Sequence, residues 1–156
     1  MADPSLYKYP SPLSAWENLP PLPERSSAYE TFPPPITNDD RGGFDVHIYF
    51  QHRNDEEVKF AKDLWERIRR EFPEPRIYQV WEYPIGPHPL GMFEVNLFTP
   101  EQFGAFVSWL VINRGPLSAL VHPNTGDDER DHTQRATWLG QPYPLNLKLF
   151  KKMKKS

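Results

Sequence analysis

Apolar and polar side chains alternate most clearly in FDVHIYF, residues 44–50. Phe44, Val46, Ile48 and Phe50 fall on one side and Asp45, His47 and Tyr49 on the other, which is the period of a strand. The spacing then changes to three and four. Val58, Ala61, Trp65, Ile68 and Phe72 share one face of a helix over 55–72, with Leu64 beside them and Asn54 or Asp55 as the cap. FPEP ends that helix. RIYQVWEY (76–83) reads as a second strand, PIGPHP as a turn, and LGMFEVNLF (90–98) as a third strand with Phe93, Val95 and Leu97 opposite Met92, Glu94 and Asn96. TPEQ at 99–102 is a helix start, with Thr99 as N-cap, proline at N1 and glutamine at N3. Phe103, Phe106, Val107, Leu110 and Val111 form its apolar face, and Gly115 stops it. LSALVH (117–122) is a fourth strand, with Leu117, Ala119 and Val121 opposite Ser118, Leu120 and His122.

The order β-α-β-β-α-β is that of the ferredoxin-like arrangement. It predicts an α+β fold over 44–150, with a four-stranded antiparallel sheet in the order 4-1-3-2 and two helices on one face. Residues 1–43 stand apart, holding nine of the nineteen prolines. Proline removes a donor and fixes φ, so this arm is excluded from central strands and long helices. It nevertheless carries Tyr7, Tyr9, Trp16, Tyr29 and Phe32, which favours an extended arm lying on the body or on a partner subunit over a disordered tail. The alternative is a polyproline ligand for another protein. Residues 151–156 form a basic tail.

Composition narrows the chemistry. The chain of 156 residues has no cysteine, which excludes disulfides, thiolate metal sites and cysteine nucleophiles. A net charge of -3 argues against nucleic acid as a partner. No apolar run approaches the ~18 residues of a membrane span, and the start has no apolar signal segment, so a cytoplasmic protein without a membrane partner is expected.

The polar sides of strands one, three and four hold His47, Glu94 and His122, and the expected strand order makes them neighbours on one sheet face. Two imidazoles and a carboxylate are the ligand set of a facial-triad iron(II) site that keeps positions open for substrate and oxygen. His88, in the turn before strand three, is an alternative third ligand to Glu94. Zinc and manganese accept the same set. VHPNTGDDERDHTQRATWLG (121–140) follows strand four with an unusual density of polar groups. A short helix from Asp127 to Trp138 would pair Asp128 with His132 and Asp131 with Arg135. An acid that holds one imidazole nitrogen makes the other a better proton acceptor. The same residues also fit a solvated, charged turn, and the strand histidines also fit ordinary hydrogen-bonded positions. His52 reads as a surface residue.

FDVHIYF, GPHPLGMFEV (86–95) and HPNTGDDERDHTQRATWLG (122–140), in this order and spacing, resemble the DOPA 4,5-dioxygenase family of fungi and bacteria. The resemblance spans roughly 44–150. It implies extradiol ring cleavage of a catechol such as L-DOPA by O2 at a non-haem Fe(II) centre, in a ferredoxin-like homodimer. With His47, His122 and Glu94 (or His88) on the metal, His132 is the first candidate for acid/base catalysis and His88 the second. Tyr49 or Trp138 would stack on the substrate ring, and Arg130 or Arg135 would pair with a substrate carboxylate. The rival readings are a metal-independent ferredoxin-like monooxygenase or isomerase, and a non-catalytic dimeric binding module whose arm swaps onto its partner.

Overall fold

The computed structural model describes residues 18–153. Tyr7, Tyr9 and Trp16 of the arm and the end of the basic tail lie outside the described residues. The elements are β1 (Phe44–Phe50), α1 (Asp55–Glu71), β2 (Arg76–Ile77), β3 (Gly91–Leu97), α2 (Pro100–Asn113), β4 (Ser118–Pro123), α3 (Asp128–Asp131), β5 (Thr137–Leu139) and α4 (Lys148–Met153), with a short 3-10 turn at Ser27–Tyr29. They form one antiparallel sheet in the order β2-β3-β1-β4-β5. Its first four members keep the expected order, but the sheet has five strands rather than four.

The fifth strand replaces most of the helix expected over Asp127 to Trp138. The helix stops after Asp131, where bonds from Arg135 N to Arg130 O and from Ala136 N to Thr133 O fold the chain into turns. Thr137, Trp138 and Leu139 then pair with Val121, Leu120 and Ala119 at the edge of β4. β-Branched and aromatic residues suit a pleated edge better than a helix interior. The second strand is also shorter than its sequence pattern. Ile77 pairs with Val95, and the next bridge joins Trp81 to Met92, so three residues on one side face two on the other. That extra residue is a bulge. The Tyr78 carbonyl within it accepts from the Trp65 indole of α1 at 2.8 Å.

Periodicity decides which face each side chain takes. Val46, Ile48 and Phe50 of β1, Phe93, Val95 and Leu97 of β3, and Ala119 and Val121 of β4 pack under Ala61, Leu64 and Ile68 of α1 and Phe106 and Leu110 of α2. Asn54 caps α1 by accepting from Glu56 N and Glu57 N, and Thr99 caps α2 by accepting from Gln102 N. Past α2, Gly115 takes φ 56°, the left-handed conformation that ends a helix. Val111 faces outward, 47% exposed, instead of joining the apolar face. No helix among the described residues is long and apolar enough to cross a membrane.

The opposite sheet face is covered too. Tyr49, Met92 and Leu120 form a second apolar cluster with Ile85, Leu90, Trp138, Tyr143 and Leu145. The segment after β5 is held across this face by a bond from Asn146 N to Pro87 O. At the arm, Phe32 makes edge contacts with Phe44 at 5.1 Å and Phe103 at 6.4 Å. It lies so close to Gly43 that a Cβ there would meet the ring at 2.2 Å. Thr37 N bonds to the Asn124 carbonyl.

Replacing Phe32 by Ala is expected to lower stability by about 1–3 kcal/mol, the range for removing a half-buried ring. Urea unfolding measures this. An unchanged midpoint would mean that this part of the arm rests on the body without stabilising it.

Candidate metal centre

The antiparallel register fixes the polar face. His47 on β1 stands opposite Glu94 on β3 and Leu120 on β4, while Asp45 stands opposite Asn96 and His122. His122 is therefore diagonal to His47, and their Nε2 atoms are 3.0 Å apart. His132, just after α3, brings its ring centroid to 3.9 Å from that of His122, and His88 comes to 4.3 Å from His47. The sequence-predicted residues His47, His122, Glu94, His88 and His132 thus converge from five separate stretches of chain. All four imidazoles are buried.

Hydrogen bonds select the tautomers. His122 Nδ1 lies 2.9 Å from the Pro123 carbonyl and His132 Nδ1 lies 2.7 Å from the Asp128 carbonyl. A carbonyl only accepts, so both Nδ1 atoms carry the proton and both Nε2 atoms keep a lone pair. This is the arrangement that orients imidazole ligands in metal sites. The expected Asp128–His132 pairing therefore forms, but through the backbone oxygen of Asp128. Tyr49 Oη lies 2.6 Å from His88 Nδ1. Burial raises the Tyr49 pKa, so the phenol keeps its proton and donates it, which leaves the His88 proton on Nε2.

Among the described residues, two groups have the reach to hold a cation. Ligand atoms of His47, His122 and His132 lie within 4.8 Å of one another, and so do those of Asp45, His47 and Glu94. His47 belongs to both because its nitrogens face opposite ways, Nε2 towards His122 and Nδ1 towards Glu94 Oε2 at 4.0 Å. Among the described residues, His47 Nδ1 is buried without a hydrogen-bond partner. Buried polar atoms are normally satisfied, so an orphaned ring nitrogen beside a carboxylate, in a cluster of neutral imidazoles, fits a divalent metal.

Asp45 is the member of the cluster that the sequence reading passed over. It is fully buried and accepts from Asn96 Nδ2 at 2.7 Å, Asn124 Nδ2 at 2.9 Å and an Arg41 guanidinium nitrogen at 3.2 Å. Its Oδ2 is 3.8 Å from His122 Nε2. A signal was present, since alternation places Asp45 and Asn96 on the same face as His47 and Glu94. The two expected substrate arginines are engaged elsewhere. Arg135 bonds to Asp131 at 3.0 Å and Thr125 at 2.7 Å, and Arg130 sits 4.0 Å from Asp127 on the surface. Trp138 stacks on Tyr49 with ring centroids 5.6 Å apart. His52 is half-buried and accepts from Gly91 N.

Desolvation keeps the imidazoles neutral. Burial first, and then neighbouring histidines, lower His88 to about 4 and His122 to about 3, and hold His47 well below its ordinary value. His132 is lowered by burial against the pull of Asp128. Asp45 moves the other way, raised to about 7 by burial and then by the Glu94 charge. Between pH 6.5 and about 4 the unfolded chain binds histidine protons that the metal-free fold refuses, so acidification destabilises. Asp45 opposes this, because between 3.8 and about 7 the fold binds a proton that the unfolded chain does not. Four imidazoles outweigh one carboxyl. The urea midpoint of metal-free protein is expected to fall as the pH is lowered through that window. A flat or rising midpoint would mean that the imidazoles accept protons within the fold.

Known proteins add an independent comparison. Residues 44–149 match the model of the Dopa 4,5-dioxygenase family. A Botryotinia fuckeliana protein described as an uncharacterized 21.2 kDa protein is 61% identical over 177 aligned positions, covering 99% of this chain and 97% of that relative. The DOPA 4,5-dioxygenase of Amanita muscaria is 41% identical over 106 positions, covering 65% of this chain and 46% of that protein. A crystal structure of a Nostoc punctiforme protein, provisionally assigned as a dioxygenase, superposes with a TM-score of 0.61 at 32% identity, covering 83% of this chain and 99% of the other. On the match across 44–149, this chain belongs to the Dopa 4,5-dioxygenase family.

Proposed function

We propose that the protein is an extradiol dioxygenase that opens the ring of a catechol such as L-DOPA with O2 at a non-haem Fe(II) site. The observation that carries this reading is the convergence of neutral, buried imidazoles and carboxylates around His47. Family membership and the dioxygenase assignment of the Nostoc punctiforme neighbour support it. In the reaction, the ring bond beside the diol breaks and both atoms of O2 enter the product.

His47 and His122 would hold the metal, with Glu94 or His132 completing the set. The metal would supply an open, Lewis-acidic position where catechol and oxygen meet. The protein contributes orientation and proton handling. The Pro123 and Asp128 carbonyls hold His122 and His132 with their Nε2 lone pairs available. Burial keeps the imidazoles deprotonated at neutral pH, so no proton has to leave before they ligate. The imidazole that is not a ligand takes the catechol proton. This is His132 if Glu94 is the third ligand, since its Nε2 keeps a lone pair; His88, with its proton on Nε2 and its Nδ1 lone pair taken by Tyr49, is suited to donate a proton instead. Tyr49 positions His88 through their hydrogen bond, and the Tyr49–Trp138 stack forms an aromatic wall for the substrate ring.

The direct test loads Fe(II) anaerobically, then adds L-DOPA or simple catechols with oxygen. Ring opening is expected, with one O2 consumed per catechol. Metal binding without turnover of any catechol would remove the assigned reaction, and absence of metal binding would remove the site. His47→Ala and His122→Ala are each expected to lower metal occupancy and turnover by about 100-fold or more. Glu94→Gln and His132→Ala, compared by metal content, identify the third ligand: the ligand variant loses metal and the other keeps it.

A further inference from the structure

Arg41 lies outside the stretch that matches the family model, in a turn that is pinned on every side. Gly42 N bonds to Asp39 O, Arg41 N to Asp39 Oδ1, and Gly43 N to Leu97 O. Asn124 Nδ2 bonds to the Gly42 carbonyl, and an Arg76 guanidinium nitrogen bonds to that of Asp40. Such a turn fixes where the Arg41 side chain starts. Its guanidinium donates to Asp45 at 3.2 Å, and Asp45 in turn lies 3.8 Å from His122. The Arg41 charge acts on Asp45, Glu94, Asp128, His47 and His122. Asp45 is sealed from water, yet the Arg41 side chain is 56% exposed.

An arginine fixed in this way has donors to spare. Guanidinium carries five N–H groups in a planar fork, and among the described residues the Arg41 side chain donates one hydrogen bond, to Asp45. The remaining donors face solvent at the edge of the imidazole cluster. Glu94 is partly exposed at the same edge, 4.0 Å from His47. A guanidinium binds carboxylate through two parallel bonds. Arg130 and Arg135 do not compete for this role, since their charges are met by Asp127 and Asp131.

Resting on the reading of the site as a catechol dioxygenase, we propose that Arg41 determines substrate specificity by binding a carboxylate carried on the side arm of the catechol. The turn at 39–42 then belongs to the binding site, and the arm contributes to substrate choice.

The experiment compares L-DOPA with dopamine, which keeps the catechol and the ammonium and lacks the carboxylate. In the wild type, kcat/KM is expected to favour L-DOPA. In Arg41→Gln the ratio of the two kcat/KM values is expected to fall by about 10- to 100-fold, the worth of a charge-assisted carboxylate pair. Arg41→Lys, which keeps the charge without the fork, should restore part of the preference. Anaerobic calorimetry with the same two ligands gives a readout independent of turnover, and the affinity for L-DOPA alone should drop in Arg41→Gln. If both catechols weaken equally, Arg41 acts through Asp45 and the proposal is overturned. If the wild type turns over no catechol, the dioxygenase reading fails, and calorimetry still decides Arg41. Preferential loss of L-DOPA binding would then sustain the carboxylate subsite, and equal binding by wild type and variant would remove it.

Discussion

The register of β1 against its two neighbours is the constraint on which the rest depends. His47 must face Glu94 on one side and Leu120 on the other, and Asp45 must face Asn96 and His122. Side chains on a strand alternate, so a slip of one residue would move every one of them to the other face. Val46 and Ile48 would leave the helix-side core, and His47 would enter it. The apolar core on one face and the polar cluster on the other are therefore one choice of pairing. Because core burial enforces the register, the cluster needs no separate device to bring its strands into line.

Holding so many polar groups out of water is costly unless they satisfy one another. Asp45 accepts from three donors, and His122 and His132 each donate to a backbone carbonyl. His47 Nδ1 remains without a partner. Among the described residues, the cluster thus keeps a buried, unmet hydrogen-bonding position at its centre, where a ligand would meet it.

Much of this could be read from the chain because it rests on periodicity. FDVHIYF became β1 with its expected bounds, and Thr99-Pro100 opened α2 as its chemistry dictates. The shared face of His47, Glu94 and His122 followed from alternation together with the expected strand order. What escaped lacks a period. Thr137–Leu139 is too short to alternate visibly, and its strand exists because the β4 edge is there to pair with. The bulge after Ile77 reflects a tertiary bond from Trp65. Asp128 was expected to hold His132 by its carboxylate, and a backbone oxygen took that part, which no side-chain pattern reveals. Arg41 sits in an Arg-Gly-Gly stretch without a period of its own, and the partners that fix its turn lie on β1, β2, β3 and the loop after β4.

The cover on the polar face is made late in the chain. Tyr143 and Leu145 close over Tyr49, Met92 and Leu120, and Phe150 packs on His132 with ring centroids 4.6 Å apart. All four main strands and both long helices are complete by Pro123. Among the described residues, the buried core under the helices draws on nothing beyond Val121, whereas Tyr143, Leu145 and Phe150 cover the polar face. The basicity of His47 and His122 is lowered first by burial, so the chemical character of the cluster depends on a segment that supplies none of the buried residues of the main core.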